Sequence, residues 1–165
     1  MTQKVSPIDQ IRAKMRTNWP DDDVDAVMTT KRLYYAREIF FGSAKQVMEK
    51  FSLSAGEYDA LASLRIQGEP FELTPSDICQ ANMLSSGGLT KVLNHLESRD
   101  LITRRACTED QRSRKVQLTA NGKKLIDLVL QEVFAGYRGL MNAALSVEEQ
   151  QSLDKLLQKI DHSCL

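Results

Sequence analysis

Arg112, Arg114 and Lys115 place three cationic groups within four positions, just before the alternating apolar pair Val116 and Leu118. Like charges at that spacing repel, so the cluster belongs either on a solvated turn or against a polyanion whose phosphates relieve the repulsion. A second set lies upstream. Ser85, Ser86, Thr90, Lys91 and Asn94 carry hydroxyl, ammonium and amide groups of the kind that meet phosphates and base edges. Gly87 and Gly88 interrupt that set, and each glycine in a helix costs about 0.5–1 kcal/mol relative to alanine. They sit either in a frayed first turn, where the cost is small, or where missing side chains let a helix N-terminus approach a duplex. The neighbouring hydroxyls favour the second reading.

Other chemistries find less support. The sequence has two histidines, His95 and His162, with no nucleophile motif and no phosphate-binding glycine loop. His95 is read as a packing residue or a phosphate contact. Histidines and cysteines do not cluster at zinc spacing. We therefore expect no catalytic residue, no metal and no cofactor. Cys79, Cys107 and Cys164 form neither a CxxC pair nor an even framework, which suits a reducing compartment. No run reaches the roughly 18 apolar residues that span a bilayer, and no signal-peptide core opens the chain. The expected location is the cytoplasm.

The formal net charge is zero over 165 residues, which by itself argues against a nucleic-acid partner. Its distribution reverses that inference. Residues 85–124 hold nine basic side chains against four acidic, so this segment is +5 and the remainder −5. Screening limits charge to about 8–10 Å in physiological salt, so a polyanion responds to the local field rather than to the sum.

These residues need elements to position them. The first twenty residues are polar and poorly patterned, ending at Trp19-Pro20 and three aspartates that suit a helix N-terminus. A long helix is expected over residues 24–50. Ser54 and Glu57 then stand in capping-box spacing before a second helix that stops at Gly68. Thr74-Pro75-Ser76-Asp77 starts a short helix reaching about Ala81. The next helix starts at Ser85 or Ser86 and buries Leu89, Val92, Leu93 and Leu96, leaving Thr90, Lys91 and Asn94 on the far side. Two strands, 101–106 and 113–118, flank the charged turn. Thr119 caps a long helix, and Ser146 with Glu149 opens a last one.

A short helix, a tight turn, a helix polar on its outer side and a hairpin with a basic tip make a winged helix-turn-helix. The second helix of such a unit fits the major groove, and an arginine-bearing wing suits the backbone or the minor groove. The fold class is mainly α, with a DNA-binding lobe over residues 53–118. An N-terminal arm (1–23), a first dimerisation helix (24–52) and C-terminal dimerisation helices (119–165) complete it. The terminal helices carry more apolar surface than one small lobe covers, which points to a homodimer.

The run SSGGLTKVLNHLESRDLITRR, followed by Asp110, Arg112, Val116, Leu118, Thr119 and Gly122 in the pattern D-x-R-x-x-x-V-x-L-T-x-x-G, resembles the MarR family of bacterial transcription regulators. The resemblance covers the chain from about Val24 onward. It implies a homodimer, usually a repressor, that binds a near-palindromic double-stranded operator and is released by a small aromatic ligand or by oxidation. It also implies that Asp110 braces the wing through Arg114 or a nearby cation while Arg112 enters the minor groove.

A narrower similarity, to the urate-responsive branch, rests on Trp19, Asp59 and Arg104. Those three are the expected ligand-binding residues for an anionic aromatic effector. Val92 stands where that branch carries a second arginine, which removes one anion partner. Two alternatives stand beside this reading. Peroxide-sensing relatives carry a cysteine near the start of the first long helix, and none lies there; a redox sensor here would use Cys107, beside Arg104 and Arg105, or Cys79. A winged helix used only for protein contacts would fail to bind DNA.

Overall fold

The computed structural model describes residues 6–19, 24–82, 86–106 and 114–164. The chain divides into two compact units, residues 1–42 and 43–165.

In the first unit, α1 (Pro7–Asn18) and the N-terminal part of α2 (Val24–Lys50) enclose a small apolar cluster of Ile8, Val24 and Met28, with Met15 packed on it. The sequence pattern predicts no element within residues 1–23, and α1 corrects that expectation. Local chemistry explains the helix. Ser6 accepts a hydrogen bond from the Ile8 N–H, Pro7 occupies the first turn and Asp9 adds a carboxylate there. Its apolar stripe, Ile8 and Met15, is too narrow to stand out in the pattern. Ion pairs add to it: Arg12 and Arg16 both meet Asp25, and Arg32 meets Asp9.

The second unit is built around α3 (Ala55–Ile66). Its buried residues Ala60, Leu61 and Leu64 pack with Ile78 of α4 (Pro75–Asn82) and with Leu89, Leu93 and Leu96 of α5 (Ser86–Ser98). Below them lie β2 (Ile102–Ala106), β3 (Arg114–Leu118) and α6 (Ala120–Ala144), which contribute Ile102, Val116, Ile126, Val129 and Val133 to the same core. The last helix is α7 (Val147–Cys164). The expected capping residues do their work. Ser54 and Glu57 form a reciprocal box, Thr119 accepts from the Gly122 N–H at 2.9 Å, and Ser146 exchanges hydrogen bonds with Glu149.

One strand was not foreseen. β1 (Glu72–Leu73) adds to the hairpin, giving a three-stranded antiparallel sheet in the order β1-β3-β2. Two residues carry no periodicity, so only the pairing of Glu72 with Gln117 and Leu73 with Val116 defines it.

Gly122, the last residue of the wing pattern, has a steric reason. A Cβ there would lie 1.9 Å from the Leu101 carbonyl oxygen, so only glycine lets α6 start against the strand.

Candidate nucleic-acid interface

The helix-turn-helix is fixed at its start by Thr74 and Asp77. Asp77 accepts from the Thr74 N–H at 3.1 Å, and Thr74 Oγ1 accepts from the Asp77 N–H at 3.2 Å. Ile78 anchors α4 in the core, and Asn82 ends it by donating to Ser63 Oγ at 2.9 Å and to the Ile78 carbonyl at 3.0 Å. α5 then buries Leu89, Leu93 and Leu96 while Gly87, Thr90, Lys91 and Asn94 face outward. That separation follows from the 3.6-residue period. Ser85 lies outside the described residues, as does the side-chain environment of Ser86.

A buried acid locks α5 in place. Glu57 is only 4% exposed. Its Oε2 accepts from the Ser54 N–H at 2.8 Å and from Ser54 Oγ at 2.7 Å, while Oε1 meets His95 Nδ1 and lies 3.9 Å from Arg99. Burial pushes this carboxyl up, but the Ser54 and His95 hydrogen bonds outweigh it, and its pKa lies below the ordinary value. Arg99 completes the tie by donating to the Ser52 carbonyl at 2.8 Å. Sequence reasoning found Glu57 as a capping residue and missed this second role. No local signal reports a partner 38 residues away.

The wing is a five-rung ladder from Ile102 opposite Leu118 to Ala106 opposite Arg114. Strand alternation sends Ile102 and Arg104 to one face of β2 and Arg105 to the other. Arg105 and Arg114 are exposed. Lys115 is ion-paired with Glu72, so its charge also joins β1 to β3. Arg104 turns back onto α5: its Nη2 donates to Asn94 Oδ1 at 2.6 Å, and its Nε lies 3.3 Å from Glu97. Asp110, Arg112 and Cys107, and with Asp110 the expected brace to Arg114, lie outside the described residues.

Two cavities flank these elements. The larger, about 590 Å³, lies among α4, α5 and the wing, with Cys79, Thr90, Arg104 and Arg114 on its walls. The smaller, about 350 Å³, is lined by Asp59, Ser63, Ile66 and Asn82. Asp59 and Arg104, expected together at an effector site, thus line different cavities of this unit. Burial pushes the Asp59 carboxyl above its ordinary value. Nearby, burial raises the Tyr58 hydroxyl to about 12, with Tyr137 and Asp59 adding to the effect. Trp19 belongs to the first unit, where it is 56% exposed. Cys79 is a free, half-buried thiol. Among the described residues no group of His, Cys, Asp or Glu could hold a metal ion, and no helix is long and apolar enough to cross a membrane.

Comparison with known proteins agrees with this geometry. The profile of the MarR family matches residues 51–113. The chain is 32% identical over 154 residues to the HTH-type transcriptional regulator PecS of Dickeya dadantii, covering 93% of this chain and 92% of that one. Among solved structures, a mutant of MarR from E. coli complexed with operator DNA superposes with a TM-score of 0.69 at 22% identity, over 85% of this chain and 99% of the other. NadR in complex with 4-hydroxyphenylacetate gives a TM-score of 0.65 at 25% identity, over 78% and 88%. A long match at this identity to PecS, with a winged helix-turn-helix of the right order and geometry, identifies the chain as a transcription regulator of the MarR family.

Proposed function

We propose that this regulator is a homodimer that binds a near-palindromic operator, acts as a repressor, and releases DNA when an anionic aromatic effector binds. The observation that carries the reading is the outward face of α5, with Thr90, Lys91 and Asn94 exposed and the wing cation Arg114 on the wall of the cavity that Thr90 also lines. A helix of that polarity suits the major groove, and the wing suits the adjacent backbone. Ser85, Ser86, Gly87, Asp110, Arg112 and Lys115 complete the proposed DNA contacts. The E. coli MarR mutant of the same fold, complexed with operator DNA, supports a DNA partner.

The dimer reading rests on apolar surface. Phe134 on α6 and Leu156 and Ile160 on α7 are large side chains left in solvent by the single chain, and a second copy would cover them. Two-fold symmetry would set half-sites about one helical turn apart.

For the effector, Asp59 offers a half-buried carboxyl on the wall of the smaller cavity, its pKa raised above the ordinary value by burial. NadR in complex with 4-hydroxyphenylacetate supports the ligand class. An effector releases DNA only by favouring a conformation whose recognition helices are wrongly spaced.

Footprinting on the DNA upstream of the protein's own gene, with and without aromatic acids, tests the whole reading. Symmetric protection that an aromatic acid abolishes supports it. Protection of no site would refute it.

A further inference from the structure

We propose that Glu97 is a positioning residue for the wing: it holds Arg104 of β2 against α5 and so fixes where the basic end of the hairpin meets DNA. The proposal rests on the DNA-binding reading above.

The core anchors only the base of the hairpin. Ile102, Val116 and Leu118 are buried, and Arg104 stands opposite Val116. Past that rung the described ladder continues with Arg105 opposite Lys115 and Ala106 opposite Arg114. These last rungs carry the exposed cations Arg105 and Arg114. Toward α4 and α5 the hairpin faces a cavity of about 590 Å³, with Thr90 and Leu93 of α5 on one wall and Arg104 and Arg114 on another. Polar contacts span what packing leaves open. Arg104 Nη2 donates to Asn94 Oδ1 at 2.6 Å, and Glu97 Oε2 lies 3.3 Å from Arg104 Nε.

Glu97 is what keeps Arg104 there. The Arg104 side chain is only 19% exposed, its Nε is buried without a hydrogen bond, and among the described residues Glu97 is its one ionic partner. The carboxylate acts on that group as a counter-charge. Without it a guanidinium would stay buried and unpaired, a state costly enough to turn the side chain out to water. The bond to Asn94 is lost with it, and DNA must then order the wing as it binds.

Electrostatics alone predicts the reverse. Glu97 is a half-exposed acid on the helix proposed to meet DNA, so removing its charge should strengthen binding to a polyanion. The two accounts differ in sign.

Titration of random-sequence duplex into the full-length protein, with thermal melts to show that each variant is folded, tests this. Glu97→Gln keeps the shape of the side chain and should weaken binding roughly three- to tenfold. Paired with Arg104→Met, which leaves nothing to hold, the same change should leave affinity unaltered or raise it. Paired with Arg104→Lys, which keeps a cation for Glu97, it should still weaken binding. Unchanged or tighter binding by the single Glu97→Gln variant would overturn the proposal, as would an equal loss in the Arg104→Met background. If Arg104→Met does not fold, the sign of the single variant and its loss in the Arg104→Lys background decide. A wild type that binds no duplex would instead sink the DNA-binding reading, and this proposal with it.

Discussion

Glu57 caps α3 and in the same position binds His95 of α5, so one buried carboxylate joins the core of the lobe to the helix that carries its polar face. The Glu57 pKa is depressed in the folded chain. A carboxyl of that kind stabilises the fold above its unfolded pKa, and the contribution is lost as pH falls through the folded value. Glu57→Gln should lower stability at neutral pH by about 1–3 kcal/mol, the usual cost of unpartnered buried groups. Urea melts at several pH values check it. The gap between wild type and variant should close as pH falls below the ordinary glutamate range.

Asp59 should behave oppositely. Its folded pKa is raised by burial, so ionising it costs stability as pH rises through the ordinary aspartate value toward the folded one. Asp59→Asn should therefore stabilise the free protein at neutral pH and lose that advantage in acid. If Asp59 is an effector group, the same variant should weaken release of DNA by aromatic acids. Thermal melts and a mobility-shift titration with aromatic acids read the two effects separately. A destabilised Asp59→Asn protein at neutral pH would contradict the burial argument.

The glycines of the two motifs should also separate. Gly122→Ala drives a methyl group into the Leu101 carbonyl and should cost about 3 kcal/mol or more. Gly87 has open space where a Cβ would stand. Gly87→Ala should leave the free protein as stable or up to about 1 kcal/mol more stable, while weakening DNA binding if the helix approaches the duplex there. Melting curves beside a mobility-shift titration test both. Unchanged DNA affinity would return Gly87 to a role in the first turn alone.

For the dimer, Leu157→Glu should split or unfold the protein, because a carboxylate would enter the proposed interface of the terminal helices. Analytical ultracentrifugation decides it. A wild-type chain that sediments as a monomer at micromolar concentration would contradict the dimer.

Local chemistry made much of this legible in the sequence. Capping pairs act over three residues, so Ser54 with Glu57, Thr74 with Asp77 and Ser146 with Glu149 marked helix starts that the structure contains. Val24–Lys50 was readable from the aspartates before it and the apolar residues along it. What escaped was either too short for a period, as in β1, or tertiary. Glu57 with His95, Lys115 with Glu72 and Arg104 with Asn94 are long side chains brought together by packing. Composition showed a basic segment without showing that Arg104 faces α5 or that Lys115 has an acidic partner.

The most direct measurement is a binding titration on duplex from upstream of the protein's own gene and on random duplex, at several salt concentrations. Wild type, Arg112→Ala, Arg114→Ala and Asn94→Ala are compared. Either arginine variant should weaken binding to both duplexes and lower the slope of log affinity against log salt by about one, as expected for one lost phosphate contact. Asn94→Ala should keep the slope and narrow the gap between the duplexes, costing about 1–3 kcal/mol on the specific one. Arginine variants with wild-type affinity and slope, together with an Asn94→Ala variant of undiminished specificity, would contradict DNA binding through the wing and α5.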